Sequence, residues 1–568
     1  MLDWVSGYNL NVFKSDFLAG ITVSVLLIPQ GMAYALIAGL PPIYGLYAAL
    51  VPQIVYALMG TSRQLAVGPV AMDSLLVAAG LNALSIVDPG QYIQMAIFLA
   101  FLVGIIQFCM GLFQMGFIVS FLSKPVISGF TSGVAIIIGV SQLSHLIGLP
   151  LSQKNTFYTV LTFFFDTKFT VHLPTLTIGI TSISILLLLK KWNKKIPSSL
   201  IVVVLGIVWI YFTKQNERGV SIVGLIPEGL PSYRSPLLRW DTLLNLLPTA
   251  LTLALVGFIE AVSIAKTIAE KNKDSEVNPN QELLALGTSN IIGSFFQSYP
   301  TTGGFSRTAV NLQAGAKTPF SALITSLIIG LTLSFFTQWF YYLPKVILAA
   351  IILVAVINLI DLNFARRLYQ SQKEEFIVLL LTFLLTIFVG ITEGILLGVL
   401  ISLFILVYRI SKPHHAFLGR IGKTNYFKNI KRFPNEVVLR EDLVILRFDA
   451  QLFFGNIQYF KKLVFSTVDQ NTDKIKGFVI NARAINYIDS TATEQLTDII
   501  KSLQQRGIRV MFVGAIGPAR DVIIKSKIIK VLKKQNLFIT SGDATDSFDG
   551  LCKKTDLQKK LSRQSNTN

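Results

Sequence analysis

Charge is what this sequence has least of: Asp, Glu, Lys and Arg make up 14% of its 568 residues, whereas 52% are hydrophobic. A water-soluble globule carries about a quarter charged residues, so the deficit excludes an ordinary soluble protein and makes the bilayer the expected solvent. The deficit is also local, with 38 charged residues among 15–410 and 41 among the far shorter stretch 411–568. Two compartments meet near Ser411. Cysteine is nearly absent, with Cys109 inside an apolar span and Cys552 in a charged tail, which argues against a structural disulfide or a thiolate metal site. The four histidines (His145, His172, His414, His415) show no metal-ligand spacing. Gly315-Ala316-Lys317-Thr318 lacks the upstream glycine of a phosphate-binding loop, so ATP-driven transport is unsupported. No metal, cofactor or enzymatic centre is expected.

What is present is a succession of apolar runs, among them 173–189, 200–212, 320–336, 346–360, 376–390 and 394–408. A hydrocarbon core of about 30 Å takes about 20 residues per crossing helix, so residues 15–410 hold about fourteen crossings once turns are included. The net charge of +19 would suit a nucleic-acid partner, but the basic residues sit in short loops, as the positive-inside rule describes. With the N-terminus inside, the loops at Arg63, Lys190–Lys195, Lys271 and Lys273, Lys317, and Arg366–Arg367 fall on the cytoplasmic side, together with everything after Ser411. Residues 1–17 form an amphipathic stretch without the features of a cleavable signal, so the first span is expected to be retained.

Discontinuous helices at matching positions in two repeats mark transport sites. Two Gly/Pro breaks qualify, Ala66-Val67-Gly68-Pro69-Val70-Ala71-Met72-Asp73-Ser74 and Tyr299-Pro300-Thr301-Thr302-Gly303-Gly304-Phe305-Ser306-Arg307-Thr308. Each follows a span with a polar residue at its middle: Gln30 lies 38 residues before Gly68, and Glu260 lies 43 before Gly303. Each break is expected to begin a half-helix whose free N–H groups and dipole attract an anion; the plain alternative is that Gly and Pro merely kink the helices.

Intramembrane charge is costly and functional by default, which singles out Glu260 and Arg307. Arg307 is expected to supply fixed positive charge and Glu260 to weaken it when ionised, so that protonating Glu260 favours anion binding and the two are taken up together. The alternative is a structural Glu260–Arg307 bridge pinning two helices. Gln30, Tyr34 and Ser306 are candidate neutral donors. Asp73 sits early in the first half-helix, where the dipole tolerates it and an anion does not welcome it; it faces away or joins the proton path.

The motifs Pro29-Gln30-Gly31-Met32-Ala33-Tyr34-Ala35, Gly39-Leu40-Pro41-Pro42-Ile43-Tyr44-Gly45-Leu46-Tyr47, the two breaks, Gly257–Lys266 and Asn280-Gln281-Glu282-Leu283 resemble the SulP family of sulfate permeases and anion exchangers over essentially the whole chain. The resemblance implies an α-helical polytopic membrane protein of fourteen segments in two inverted sevens. UraA-like core (first to fourth, eighth to eleventh) and gate domains would then move in an elevator-like way in a homodimer. It maps an anion site onto Gln30, Tyr34, Val70, Ala71, Ser306 and Arg307, and matches Glu260 to the acid of proton-coupled sulfate symporters. Asp73 departs from the usually uncharged family residue. Proton-coupled sulfate symport is the leading expectation; bicarbonate or dicarboxylate transport, a passive anion channel, and a membrane-anchored signalling scaffold are the alternatives.

After Ser411 the pattern alternates strands (443–448, 477–481, 509–513) with helices (456–469, 490–505, 520–533). With Ile488-Asp489-Ser490-Thr491 it resembles a small cytoplasmic α/β STAS domain, in which Ser490 would be a phosphoacceptor; capping by Ser490 or Thr491, with a Thr491–Glu494 capping box, is the plainer reading. The expected divisions are an N-terminal segment 1–14, a transport domain 15–410, a linker 411–436, the STAS domain 437–550 and a polar tail 551–568.

Overall fold

The computed structural model describes residues 4, 8–84, 86, 88–117, 123–148, 171–192, 197–236, 240–272, 277–422, 424–438, 440–470 and 474–550. The tail from 551, Cys552 and the loop lysines Lys154, Lys194, Lys195 and Lys273 lie outside them. The chain divides into two compact units, Met1–Ser402 and Leu403–Asn568.

The first unit is helical: α1 (Leu10–Ile37), α2 (Pro42–Met59), α3 (Ala71–Asn82), α4 (Pro89–Leu112), α5 (Lys124–Ile147), α6 (Leu173–Trp192), α7 (Ser198–Thr213), α8 (Trp240–Asn272), α9 (Pro279–Phe295), α10 (Phe305–Gln313), α11 (Phe320–Phe335), α12 (Lys345–Val356), α13 (Leu362–Ser371), α14 (Lys373–Phe388) and most of α15 (Ile391–Ser411), whose last turns belong to the second. Among the described residues, seven of these are long and apolar enough to cross a membrane, and four shorter ones are apolar. Among the described residues, setting aside α13, which carries Arg366 and Arg367, seven α-helices precede residue 214 and seven follow residue 239. Local chemistry sets the starts. Proline occupies the first turn of α2, α4, α5 and α9, where its missing N–H costs nothing, and Asp88 caps α4 by accepting from the Gln91 amide at 2.8 Å. The run 346–360 does not stay helical throughout: α12 stops at Val356 and a 3-10 turn follows.

Packing sorts the helices into two groups. α1, α2, α3, α4, α8, α9, α10 and α11 pack chiefly on one another, as do α5, α6, α7, α12 and α14, and α15 lies against α14, Gly394 facing Thr386 and Gly398 facing Thr382. α1 packs closely on α2. A Cβ on Gly45 would overlap the Gly31 carbonyl, and one on Gly31 would stand 3.1 Å from the Gly45 carbonyl oxygen. Glycine at both positions lets the two backbones meet.

In the second unit, strands β3 (His415–Ile421), β4 (Phe427–Asn429), β5 (Val437–Val438), β6 (Leu443–Phe448), β7 (Gly477–Asn481), β8 (Arg509–Val513) and β9 (Leu537–Phe538) form one sheet. Along β4-β3-β6-β7-β8-β9 the pairs are parallel from β6 onward. The stretch 411–436, expected as a linker, is folded: β3 and β4 pair antiparallel, and β3 continues onto β6. Helices α16 (Ile457–Asp469), α17 (Ser490–Gln505), α18 (Gly517–Lys525), α19 (Ile528–Leu532) and α20 (Ser541–Phe548) complete it. The single helix expected over 520–533 is two, interrupted at Ser526, which is extended. Gly507 ends α17 at φ +77°, the left-handed conformation glycine adopts freely.

Candidate functional site

Both breaks form strand-then-helix arms that meet. Strands β1 (Val67–Gly68) and β2 (Thr302–Gly303) pair antiparallel, Val67 opposite Gly303 and Gly68 opposite Thr302. Because the strands are antiparallel, α3 and α10 leave the pair in opposite directions with their N-termini at a common centre. Neither helix has a side-chain cap: the residue before α3 is Val70 and the residue before α10 is Gly304. Their first-turn amides therefore remain available to a ligand.

Polar groups secure the arms. The Ala66 amide donates to Thr308 Oγ1 at 3.1 Å and the Gly304 amide to the Ala66 carbonyl at 3.0 Å. On the other arm, Thr302 Oγ1 donates to the Gly257 carbonyl of α8 at 2.6 Å. Asn290 of α9 accepts from the Thr301 amide and donates to the Thr301 carbonyl and to Gln107 of α4. Two buried carboxylates hold the loops outside the arms. Glu282 accepts from Tyr56, from the Thr61 hydroxyl and amide, and from the Ser62 amide. Asp16 accepts from the Lys317 and Thr318 amides and the Thr318 hydroxyl. The sequence reading missed Asp16, and met Glu282 only as part of a motif. An acid near a helix end looks interfacial until its fold partners, 302 and 221 residues away, are known.

Arg307 lies one turn into α10, 2% exposed. Its Nη1 donates to the Pro69 carbonyl at 2.6 Å, bridging the two breaks, while Nε and Nη2 have no partner among the described residues. A buried guanidinium with unused donors is costly unless something accepts from it. Gln30 (4% exposed), Tyr34 (6%) and Ala71 (5%) are buried, and Gln30 Oε1 is also unpartnered. Val70 is half-buried, whereas Ser306 is exposed. Glu260 is half-buried with an unpartnered, buried Oε2. It interacts electrostatically with Arg307 and Tyr34, yet no ion pair joins Glu260 to Arg307 among the described residues. The pinning bridge weighed from sequence is therefore absent. Asp73 does not face away: it is buried and interacts with both Arg307 and Glu260.

In the second unit Ser490 is the exposed first residue of α17. The capping expected of Ser490 or Thr491 belongs instead to Asp489, which accepts from the Ala492 amide at 2.7 Å and from the Phe454 amide at 2.9 Å. A cavity of about 880 Å³ opens beside Ser490, edged by Asp489, Glu494, Lys501, Asp521 and Lys525.

Comparison with known proteins follows the same lines. A family model described as the sulfate permease family matches residues 13–382, and one described as the STAS domain matches 435–544. Probable sulfate transporter 4.2 of Arabidopsis thaliana is 38% identical over 565 residues, covering 95% of this chain and 82% of that protein. Sulfate transporter 4.1, chloroplastic, of the same plant is 37% identical over 95% of this chain and 81% of its own. The solved structure of the murine Solute Carrier 26 family member A9 anion transporter, inward-facing, shares the fold with a TM-score of 0.87 at 24% identity, covering 96% of this chain and 93% of that one. With a helical membrane unit built around two opposed half-helices and a sheet-based unit after it, the chain belongs to the sulfate permease family of multi-pass membrane anion transporters and carries a STAS domain.

Proposed function

We propose that the chain carries sulfate across the cell membrane together with protons, by alternating access in which the α1–α4 and α8–α11 group moves like an elevator against the remaining membrane helices. One observation carries the reading: two uncapped half-helix N-termini meet beside a buried guanidinium that has two unused nitrogens. Positive partial charge from both ends and the full charge of Arg307 suit a small dianion stripped of water. The plant relatives named as sulfate transporters make sulfate the first candidate. Gln30, Tyr34, Val70, Ala71, Ser306 and Arg307 form the anion shell. Glu260 takes the proton, because its charge opposes the anion's in the same field and neutralising it strengthens binding. The transporter works as a homodimer with both termini cytoplasmic, and Ser490, exposed beside its cavity, is the residue on which phosphorylation would act.

Radiolabelled sulfate uptake into proteoliposomes tests this reading. An inward proton gradient accelerates uptake by the wild-type protein, and accelerates uptake by Glu260→Gln markedly less. Wild-type uptake that ignores the gradient removes the symport assignment, and uptake that bicarbonate or fumarate outcompetes at equal concentration removes the sulfate assignment.

A further inference from the structure

A second carboxylate stands in the same pocket. Asp73 occupies the first turn of α3 and is 2% exposed, and its Oδ1 has no hydrogen-bond partner among the described residues. The ordinary reason for an acid at this place is capping, but no side chain caps α3. Nor is it neutralised by an ion pair among the described residues. A Cβ on Gly257 of α8 would stand 3.4 Å from Asp73 Oδ2, so the carboxylate lies against the helix that carries Glu260.

The groups facing it are few. α10 brings Arg307, α8 brings Glu260, and the segment before the second break brings Tyr299, whose hydroxyl shares a 3.1 Å hydrogen bond with Ser74. α1 contributes Tyr34, which acts on Arg307 and Glu260. α4 has no charged side chain, and α5 has basic residues only near its ends, Lys124 and His145.

The sum of these charges decides which form admits a dianion. Arg307 contributes one positive charge, and the two half-helix ends add about half a charge each. With Asp73 and Glu260 both ionised the pocket is therefore near neutral; with one ionised it is near +1; with both protonated it is near +2, the complement of a divalent anion. Each ionised acid also leaves a buried charge unpaired. We propose that Asp73 is a second proton-binding group of the anion site, so that a divalent anion crosses with two protons and no net charge. This rests on the proton-coupled reading above and adds its stoichiometry. The charge balances: two protons and one sulfate move inward, and no counter-ion is required.

The test is sulfate uptake into proteoliposomes at a fixed proton gradient, with the membrane potential set by potassium and valinomycin. Wild-type uptake is the same at zero and at inside-negative potential. In Asp73→Asn one proton accompanies each sulfate, so uptake carries net negative charge inward and falls several-fold when the interior is made negative. If Asp73→Asn remains indifferent to potential while Glu260→Gln loses its response to the proton gradient, the inference fails and the coupling role of Glu260 stands. If the wild-type protein shows no proton drive, both fail together. Should Asp73→Asn not fold, the wild-type protein decides alone: a proton-to-sulfate ratio of two, from the gradients at which net flux reverses, supports the inference, and a ratio of one overturns it.

Discussion

Arg307 is the residue on which the pocket's sign depends, and the chain holds it in place with very little. One hydrogen bond to the Pro69 carbonyl fixes Nη1, and the bare Cα of Gly304 gives the guanidinium room. A Cβ on Gly304 would stand 2.6 Å from Arg307 Cζ, well inside van der Waals contact, so the side chain must swing away. Gly304→Ala should therefore weaken sulfate uptake at least about tenfold, the value of one charge-assisted hydrogen bond, while thermal unfolding of the purified protein changes little. Unchanged uptake in that variant would mean the guanidinium does not act from this position. Arg307 and Glu260 were legible from sequence because a charge inside an apolar span has few structural excuses. Asp73 was visible but undecided, since only the contact of α3 with α8 shows which way it points. Ser306 met the pattern of a donor at a helix start, and its side chain is open to solvent.

At the scale of elements, the half-helices are positioned from outside the membrane centre. Glu282 gathers the loop between α2 and the first break, and Asp16 gathers the loop between α10 and α11. Each is a carboxylate with several donors and no counter-charge among them, so removing its charge leaves buried N–H and hydroxyl groups poorly matched. Glu282→Gln and Asp16→Asn should each cost about 1–3 kcal/mol, read as a lowered Tm in detergent, and should reduce transport without altering its response to the proton gradient. A changed proton response in either variant would make that acid part of the coupling, not a support. The breaks themselves could be read from Gly and Pro, but their pairing as antiparallel strands could not. Two-residue strands carry no periodicity, and their partners lie more than 200 residues apart. The folded stretch 411–436 escaped for a related reason: β4 has three residues, and β3 is half-exposed and hides no continuous apolar run.

For the whole molecule, the division into an apolar helical unit and a charged sheet unit followed from composition alone, since solvent dictates where charge is tolerated. Elements inside each unit were legible where length and period were strong, as in α6, α7 and β6–β8, and were misjudged where a helix breaks at its end, as in α12 and at Ser526. The sheet unit also carries its own pH dependence. The hydrogen-bonded Arg440 guanidinium holds the Asp442 carboxyl below its usual range and reaches Asp549 beyond α20. A depressed carboxyl stabilises the fold above its unfolded value, about 4, and that stabilisation is lost as pH falls through the lower folded value. On this account thermal unfolding of the second unit should drop below about pH 4. Arg440→Ala should lower stability at neutral pH and blunt the acid drop, and an undiminished drop in that variant would assign it to other groups.

The most direct test concerns the positive centre formed by α3, α10 and Arg307. Equilibrium binding of radiolabelled sulfate to the purified protein, compared between wild type and Arg307→Gln with matched thermal stability, measures it. Binding that weakens at least about tenfold in the variant is the predicted result, and binding of wild-type strength would contradict the assignment of this centre as the anion site.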